Sequence, residues 1–143
     1  MNSEAGGQRL ASFRLGNAHL AFEAGTISEV IRREQFTIVP NAQRQVLGIL
    51  NVRGNLVTVL DLAYLLGLDP VESSDENRIL LADTGSERVG FLVDGVGDIF
   101  EIESSSGDGL PANLTPALSA VSQAAYRTAS DVVILLHLEA VLA

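Results

Sequence analysis

The chain has 143 residues, a net charge of −9 and no cysteine, and its nine basic residues are all arginine. Without lysine it cannot form a Walker-type phosphate loop, a Schiff base or a Ser–Lys catalytic pair, and without cysteine it has no thiol nucleophile or disulfide. An acidic chain with no basic stripe in its sequence also repels a phosphate backbone, so we expect no nucleic-acid binding.

No apolar run approaches the roughly 20 residues that a membrane-spanning helix requires. The N-terminal segment also lacks the basic and apolar regions of a secretion signal. We therefore expect a cytoplasmic protein with no direct membrane insertion. Residues 1–10 are predicted to be a disordered tail, and residues 11–143 are predicted to form a single domain.

Short apolar runs rich in Val, Ile and Leu alternate with turn residues, a pattern typical of an all-β barrel or sandwich. Hairpin turns are predicted at Gly16-Asn17, Arg53-Gly54-Asn55 and Thr84-Gly85-Ser86. The predicted strands, in chain order, are Ser12–Leu15, His19–Glu23, Val30–Arg33, Val46–Asn51, Leu56–Asp61, Ile79–Asp83, Val89–Asp94, Gly97–Glu101, Ala124–Thr128 and Val132–Leu136.

Two short helices are predicted between and after these strands. Asp61 is placed to cap the first, because its carboxylate can accept from amides of the next turn, and Gly67 ends that helix at Leu66. The second helix is Leu138–Leu142. The polar segment Asp69–Asn77 is predicted to be a linker, and a second flexible loop is predicted over residues 104–109.

The sequence contains an internal repeat. Leu20–Ile31 aligns with Val89–Phe100 without a gap, and Val57–Leu66 resembles Val133–Leu142. This repeat predicts a mainly β fold of two packed five-stranded β-barrel subdomains, similar to SH3 barrels, with short helices. The first subdomain is placed at about residues 11–68, with a C-terminal contribution left open, and the second at about residues 77–136.

One stretch resembles the signature of CheW-like domains. Gly48–Leu62 contains a glycine, then Asn-Val-Arg-Gly and an apolar strand that ends in Asp-Leu. Upstream, Ile27–Ile31 and Ile38–Ala42 are similar to the segments that precede this signature, and downstream Gly90–Asp98 resembles the family's second-half motif. The resemblance covers about residues 10–142, which is nearly the whole chain.

The resemblance implies a free-standing, non-enzymatic adaptor at receptor arrays on the inner face of the membrane. Its partners would be the cytoplasmic tips of methyl-accepting chemoreceptors and the regulatory domain of a CheA-type histidine kinase. An adaptor of a pilus-driven twitching pathway, or of another chemosensory pathway, remains the alternative. The chain departs from the family pattern at His137 and in Gln123–Thr128, both in the strand pair that closes the second half.

Four residues are candidates for receptor binding: Ile27, Glu29, Gly48 and Arg53. A turn arginine is usually just solvated, but its planar fork can also bind a carboxylate, and Glu29 is the predicted internal partner of Arg53. Ile27 could equally be a core residue or an apolar contact for a receptor helix. Gly48 could permit a strand bend or the close approach of a partner.

Asp94 and Asp98 are candidates for kinase binding, as exposed acids that form a polar rim around an apolar contact. We expect no catalytic residue, metal or cofactor. Helix capping accounts for Asp61, and neither His19 nor His137 has a nearby ligand at metal-binding spacing. An enzyme or small-ligand barrel would require a cluster of polar groups in a pocket, for which the sequence offers no candidate.

Overall fold

The computed structural model describes residues 7–103, 109–128 and 131–143. The strands are β1 Gly7–Leu15, β2 Ala18–Glu23, β3 Ile27–Arg32, β4 Val46–Val52, β5 Asn55–Leu60, β6 Arg78–Asp83, β7 Arg88–Val93, β8 Gly95–Glu103, β9 Ser122–Arg127 and β10 Val132–Leu136. The α-helices are α1 Leu62–Leu65, α2 Pro116–Val121 and α3 Leu138–Leu142. The mainly β fold and all ten predicted strands are thus confirmed, with shifts of a few residues at the ends.

Side-chain caps begin two of the three helices, α1 and α2. Asp61 accepts from the amide of Tyr64 at 3.1 Å and begins α1, and α3 has the predicted bounds. His137 lies at the N-cap of α3 but makes no side-chain capping bond. Helix α2 was not predicted, although Thr115 caps it and Pro116 occupies its first position, a combination that favours a helix start.

The N-terminal prediction is partly wrong. Residues 7–10 belong to β1, where Leu10 is fully buried and pairs with Phe100 of β8 and Glu23 of β2. Residues 7–9 pair with β8 alone, and Leu10 is the first residue of β1 that pairs on both sides. Residues 1–6 of the predicted tail and 104–108 of the predicted loop lie outside the described residues.

The strands form two five-stranded sheets. Sheet 1 has the order β8-β1-β2-β10-β9, and sheet 2 has the order β3-β6-β7-β5-β4. The predicted subdomain boundaries are therefore wrong, because the chain crosses between the sheets after β2 and again after β7. Sheet 2 is continuous in sequence from β3 to β7, whereas sheet 1 combines the first two strands with the last three.

The internal repeat is confirmed by the register of the strands. The sequence alignment equates Thr58 with Ile134 and Val89 with Leu20. The structure pairs Thr58 with Val89 in the parallel pair β5–β7, and Ile134 with Leu20 in the parallel pair β10–β2. Each repeat thus contributes strands to both sheets, and the two repeats interlock.

One cluster of buried side chains fills the junction between the sheets. At its centre the rings of Phe13, Phe22 and Phe91 stack in a row, with 5.4 Å between the centroids of neighbouring rings. Phe13 and Phe22 come from sheet 1 and Phe91 from sheet 2. The helices close the cluster with buried side chains that include Leu62 of α1 and Leu118 of α2.

Sheet 2 curls so that the segment after one edge strand, β3, reaches the other edge strand, β4. The chain that follows β3 reaches β4, where Thr37 and Ile49 exchange backbone hydrogen bonds of 2.8 Å in each direction. Closure of this kind removes an exposed sheet edge, which would otherwise be a site of aggregation. It also places the early motif around Glu29 on the same side of the molecule as the turn after β4.

Candidate functional site

Arg53 lies in the two-residue turn between β4 and β5. Both Arg53 and Gly54 have left-handed backbone conformations, with φ of +50° and +88°. Turns of this type match the twist of a hairpin, but they normally select Asn, Asp or Gly. The side chain of Asn51 supports the turn by accepting from the amide of Gly54 at 2.8 Å. An arginine at this position is therefore unusual for the turn and is explained by what its side chain binds.

That side chain forms a bidentate ion pair with Glu29 of β3. Nη1 of Arg53 donates to Oε2 of Glu29 at 3.0 Å, and Nη2 donates to Oε1. The pairing predicted between these two residues is confirmed. It joins the two edges of sheet 2, because Glu29 lies on β3 and Arg53 follows β4.

The ion pair is open to solvent. The side chain of Arg53 is 64% exposed and that of Glu29 is 31% exposed. The hydrogen bonds from Arg53 lower the pKa of Glu29, with a smaller contribution from the charge of Arg88, and the same bonds raise the pKa of Arg53. Both groups are thus held in their charged forms. The guanidinium has five N–H donors, so three remain for another partner.

Ile27 and Gly48 have clear structural roles beside this pair. Ile27 is half-buried and packs against the central cluster, as its interpretation as a core residue expected. Gly48 is buried next to the segment that follows β3, and a Cβ there would lie 2.5 Å from the carbonyl oxygen of Thr37 and 2.8 Å from the ring of Phe36. Because Gly48 has no side chain, the backbone at Thr37 can pack directly against it.

The two acidic candidates differ in their surroundings. Asp94 is half-buried at the crossover after β7, and its Oδ2 accepts from the amide of Gly16 at 2.6 Å. Asp94 is therefore less exposed than predicted, and this hydrogen bond ties the crossover to the β1–β2 turn. Asp98 is exposed on β8, and its backbone carbonyl accepts from the hydroxyl of Ser12 at 2.8 Å.

Sequence reasoning missed the apolar surface around Asp98. Val96 and Ile99 of the edge strand β8 are 39% and 56% exposed. The repeat aligns them with Ile27 and Val30 of the other edge strand, β3, where Val30 is 44% exposed. Two apolar residues flanking an acid on an edge strand could have signalled this surface, since an edge exposes unpaired backbone groups as well.

The described residues show no arrangement for metal chemistry. No group of three or more His, Asp or Glu side chains in residues 7–103, 109–128 and 131–143 lies close enough together to hold a metal ion. His19 instead contacts Asp131, with 3.1 Å between Nδ1 and Oδ2. Among the same residues, none of the helices has the length and apolar character needed to span a membrane.

Comparison with known proteins identifies the family of this chain, because the family model described as CheW-like domain matches residues 9–143. The chain belongs to the CheW-like family. Its relatives include the chemotaxis protein CheW of Thermotoga maritima, 36% identical over 100 residues that cover 68% of this chain and 64% of that protein. Protein PilI of Pseudomonas aeruginosa is 27% identical over 109 residues, 76% of this chain and 60% of that protein.

The CheW-like fold is also found among solved structures. The crystal structure of the scaffolding protein CheW from Thermoanaerobacter tengcongensis superposes with a TM-score of 0.79 and covers 90% of this chain and 88% of that one. The sequences are 22% identical, so this likeness concerns the fold. The match to the Thermotoga maritima CheW spans slightly less than two thirds of that relative's length.

Proposed function

We propose that this CheW-like chain is a non-enzymatic adaptor that couples methyl-accepting chemoreceptors to a CheA-type histidine kinase. It would act in the cytoplasm, at receptor arrays on the inner face of the membrane. The family membership supports the adaptor role, and the exposed ion pair of Glu29 and Arg53 is the observation that supports a binding surface.

The ion pair suits binding better than stability. Solvent-exposed ion pairs contribute little to folding, because both charges remain screened by water. Arg53 nevertheless occupies a left-handed turn position that disfavours arginine. Its unused donors point to a second acceptor, such as a carboxylate on the helical tip of a receptor, with Ile27 and Gly48 supporting the surface from beneath.

Substitution of Arg53 by Asn tests the receptor surface. Asn-Gly is the preferred sequence for this turn, so Arg53→Asn removes the cation while the hairpin is kept. We expect roughly tenfold weaker co-sedimentation with receptor-containing membranes, because a tenfold change corresponds to the loss of about one charged hydrogen bond. Arg9→Asn, which removes an exposed arginine from sheet 1, is the matched control. Parent-like binding of Arg53→Asn would remove Arg53 from the surface, and no binding by the parent would reject the receptor role.

The kinase surface is proposed on β8. There Asp98 lies between the exposed side chains of Val96 and Ile99, as a polar rim beside an apolar contact, and Asp94 positions the crossover that leads into the strand. Ile99→Asp should abolish binding to the kinase regulatory domain and leave receptor binding intact. Ile38→Asp introduces the same charge at a residue 76% exposed on the other sheet's side and serves as control. If Ile99→Asp bound the kinase regulatory domain as well as Ile38→Asp and the parent do, the kinase surface would lie elsewhere.

A second candidate is the same adaptor role in another chemosensory pathway, such as pilus-driven twitching. This candidate is supported by the similarity to a protein named PilI, which is found beside the similarities to proteins named CheW. Identification of the receptor that co-purifies with the chain from its native cells separates the two. A receptor and kinase of the swimming-chemotaxis pathway would support the first candidate and exclude the second.

A further inference from the structure

Three of the nine arginines meet at one end of sheet 2, although the sequence has no basic stripe. Arg32 of β3 and Arg78 of β6 are direct partners in the antiparallel register, and Arg33 follows β3. Side chains directly opposite in such a pair lie on the same face, and like charges there are destabilising. Within the described part of the chain, no carboxylate forms an ion pair with any of these three arginines.

A buried amide organises this end of the sheet. Asn77 is 1% exposed, and its Oδ1 accepts from Nη1 of Arg33 at 2.8 Å and from the amide of Ser74 at 3.1 Å. Its backbone carbonyl accepts from Nη1 of Arg78 at 2.8 Å. These bonds fix two guanidinium groups and the preceding loop relative to each other, so the site is largely formed before a ligand arrives.

The loop, Arg32 and Arg33 line an open cleft of about 500 Å³. Its lining residues are Arg32, Arg33, Ser73, Ser74, Asp75 and Asn77. The hydroxyl oxygen of Ser74 accepts from the amide of Glu76 at 3.1 Å, which leaves its proton free to donate into the cleft. The side chain of Arg32 makes no hydrogen bond to any of the described residues, so its whole guanidinium fork is available.

Donors therefore dominate the lining, with Asp75 as the one carboxylate among the described lining residues. Planar guanidinium groups and hydroxyls bind tetrahedral oxyanions through charge-assisted hydrogen bonds. We propose that this cleft is a binding site for a phosphate group, held by Arg32 and Arg33 with help from the hydroxyls of Ser73 and Ser74. The overall charge of −9 opposes anion binding, but charges beyond about 10 Å are largely screened at 0.1 M salt.

The experiment is a titration of the ¹⁵N-labelled chain with inorganic phosphate and, separately, with phosphoserine, at constant ionic strength. We expect saturable shifts of the amides of Ser73, Ser74 and Asp75. Tighter binding of phosphoserine would identify a phosphate ester as the ligand, and tighter binding of inorganic phosphate would identify the free ion; either supports the site. Arg32→Ala should weaken binding roughly tenfold.

Arg32 is exposed and its side chain makes no described hydrogen bond or ion pair, so Arg32→Ala should fold normally, which circular dichroism checks. Arg9→Ala removes the same charge from sheet 1 and should bind like the parent. Linear shifts without saturation, or shifts that are alike in the parent and Arg32→Ala, would overturn the proposal. Receptor and kinase binding are not involved in this measurement, so its outcome is independent of the adaptor role.

Discussion

Phe22 and Phe91 occupy equivalent positions of the internal repeat and stack on each other across the junction, with ring centroids 5.4 Å apart and planes at 26°. Both are fully buried, and each lies on the strand that immediately precedes a crossover. The contact between two copies of one motif therefore marks the pseudo-symmetric centre of the molecule. It joins the sheets at the point where the chain passes between them.

Truncation of this contact should destabilise both sheets together. Phe22→Ala removes a buried ring and should lower the free energy of unfolding by about 3–5 kcal/mol. Chemical denaturation followed by amide signals from β1 and from β6 should give coincident transitions. Leu56→Ala, at a residue 71% exposed, is the control and should cost less than about 0.5 kcal/mol. Separate transitions for the two sheets would contradict a shared core.

Gly48 should not tolerate a methyl group. A Cβ at this position would lie 2.5 Å from the carbonyl oxygen of Thr37, and backbone on both sides would have to shift. Gly48→Ala should therefore cost about 1–3 kcal/mol of stability, measured by urea denaturation. Gly25→Ala is the control, since its Cβ would come no closer than 3.9 Å to the side chain of Glu23 and should leave stability nearly unchanged. A stable Gly48→Ala variant would show that the crossing segment is loosely held.

The ion pair of Glu29 and Arg53 should show a defined pH dependence. Arg53 lowers the pKa of Glu29 in the folded state, so the contribution to stability is present above the unfolded value of roughly 4.3 and is lost as pH falls through the lower folded value. The difference in stability between the parent and Glu29→Gln should be constant from about pH 6 to 8 and shrink in acid. It should be small and should fall with added salt. A difference that persists at about pH 2 would assign it to something other than this pair.

Thr115 should stabilise α2 through two hydrogen bonds. Its Oγ1 accepts from the amide of Leu118 at 3.1 Å and donates to the carbonyl of Leu66 at 2.6 Å, so it joins α2 to the end of α1. Thr115→Val keeps the shape and removes both bonds, at a cost of about 1–2 kcal/mol. Ser119→Ala, on the exposed face of the same helix, should leave the melting temperature unchanged or slightly raised. Equal melting temperatures for the two variants would show that the cap is dispensable.

Local sequence patterns predicted the local features well. Alternating apolar runs and turn residues located ten strands, and Asp61 located a helix start, because each depends on neighbours within a few residues. The sequence also predicted the pairing of Glu29 with Arg53, from the carboxylate-binding chemistry of a turn arginine and the early motif that contains Glu29. Helix α2 has a start signal in Thr115-Pro116, although that signal lies among loop residues.

Features that depend on distant segments were not predictable in the same way. Sheet membership is decided by the parallel pairs β2–β10 and β5–β7, and a strand's own pattern does not specify its partner. The hydrogen bond of Asp94 to Gly16 and the meeting of Arg32 with Arg78 join residues far apart in sequence. The same limit applies to Gly48, whose close neighbour is the segment at Thr37.

The row of stacked rings also has a mechanical consequence. Close-packed interiors have low compressibility and transmit strain, so the two sheets cannot slide past each other without breaking the stack. The hairpin of Arg53 and the edge strand β8 lie on different sheets, yet each reaches the stack through a neighbouring strand: β8 pairs with β1, which carries Phe13, and β5 pairs with β7, which carries Phe91. Strain imposed at one surface should therefore reach the other through this stack, because close-packed rings leave little room to absorb it.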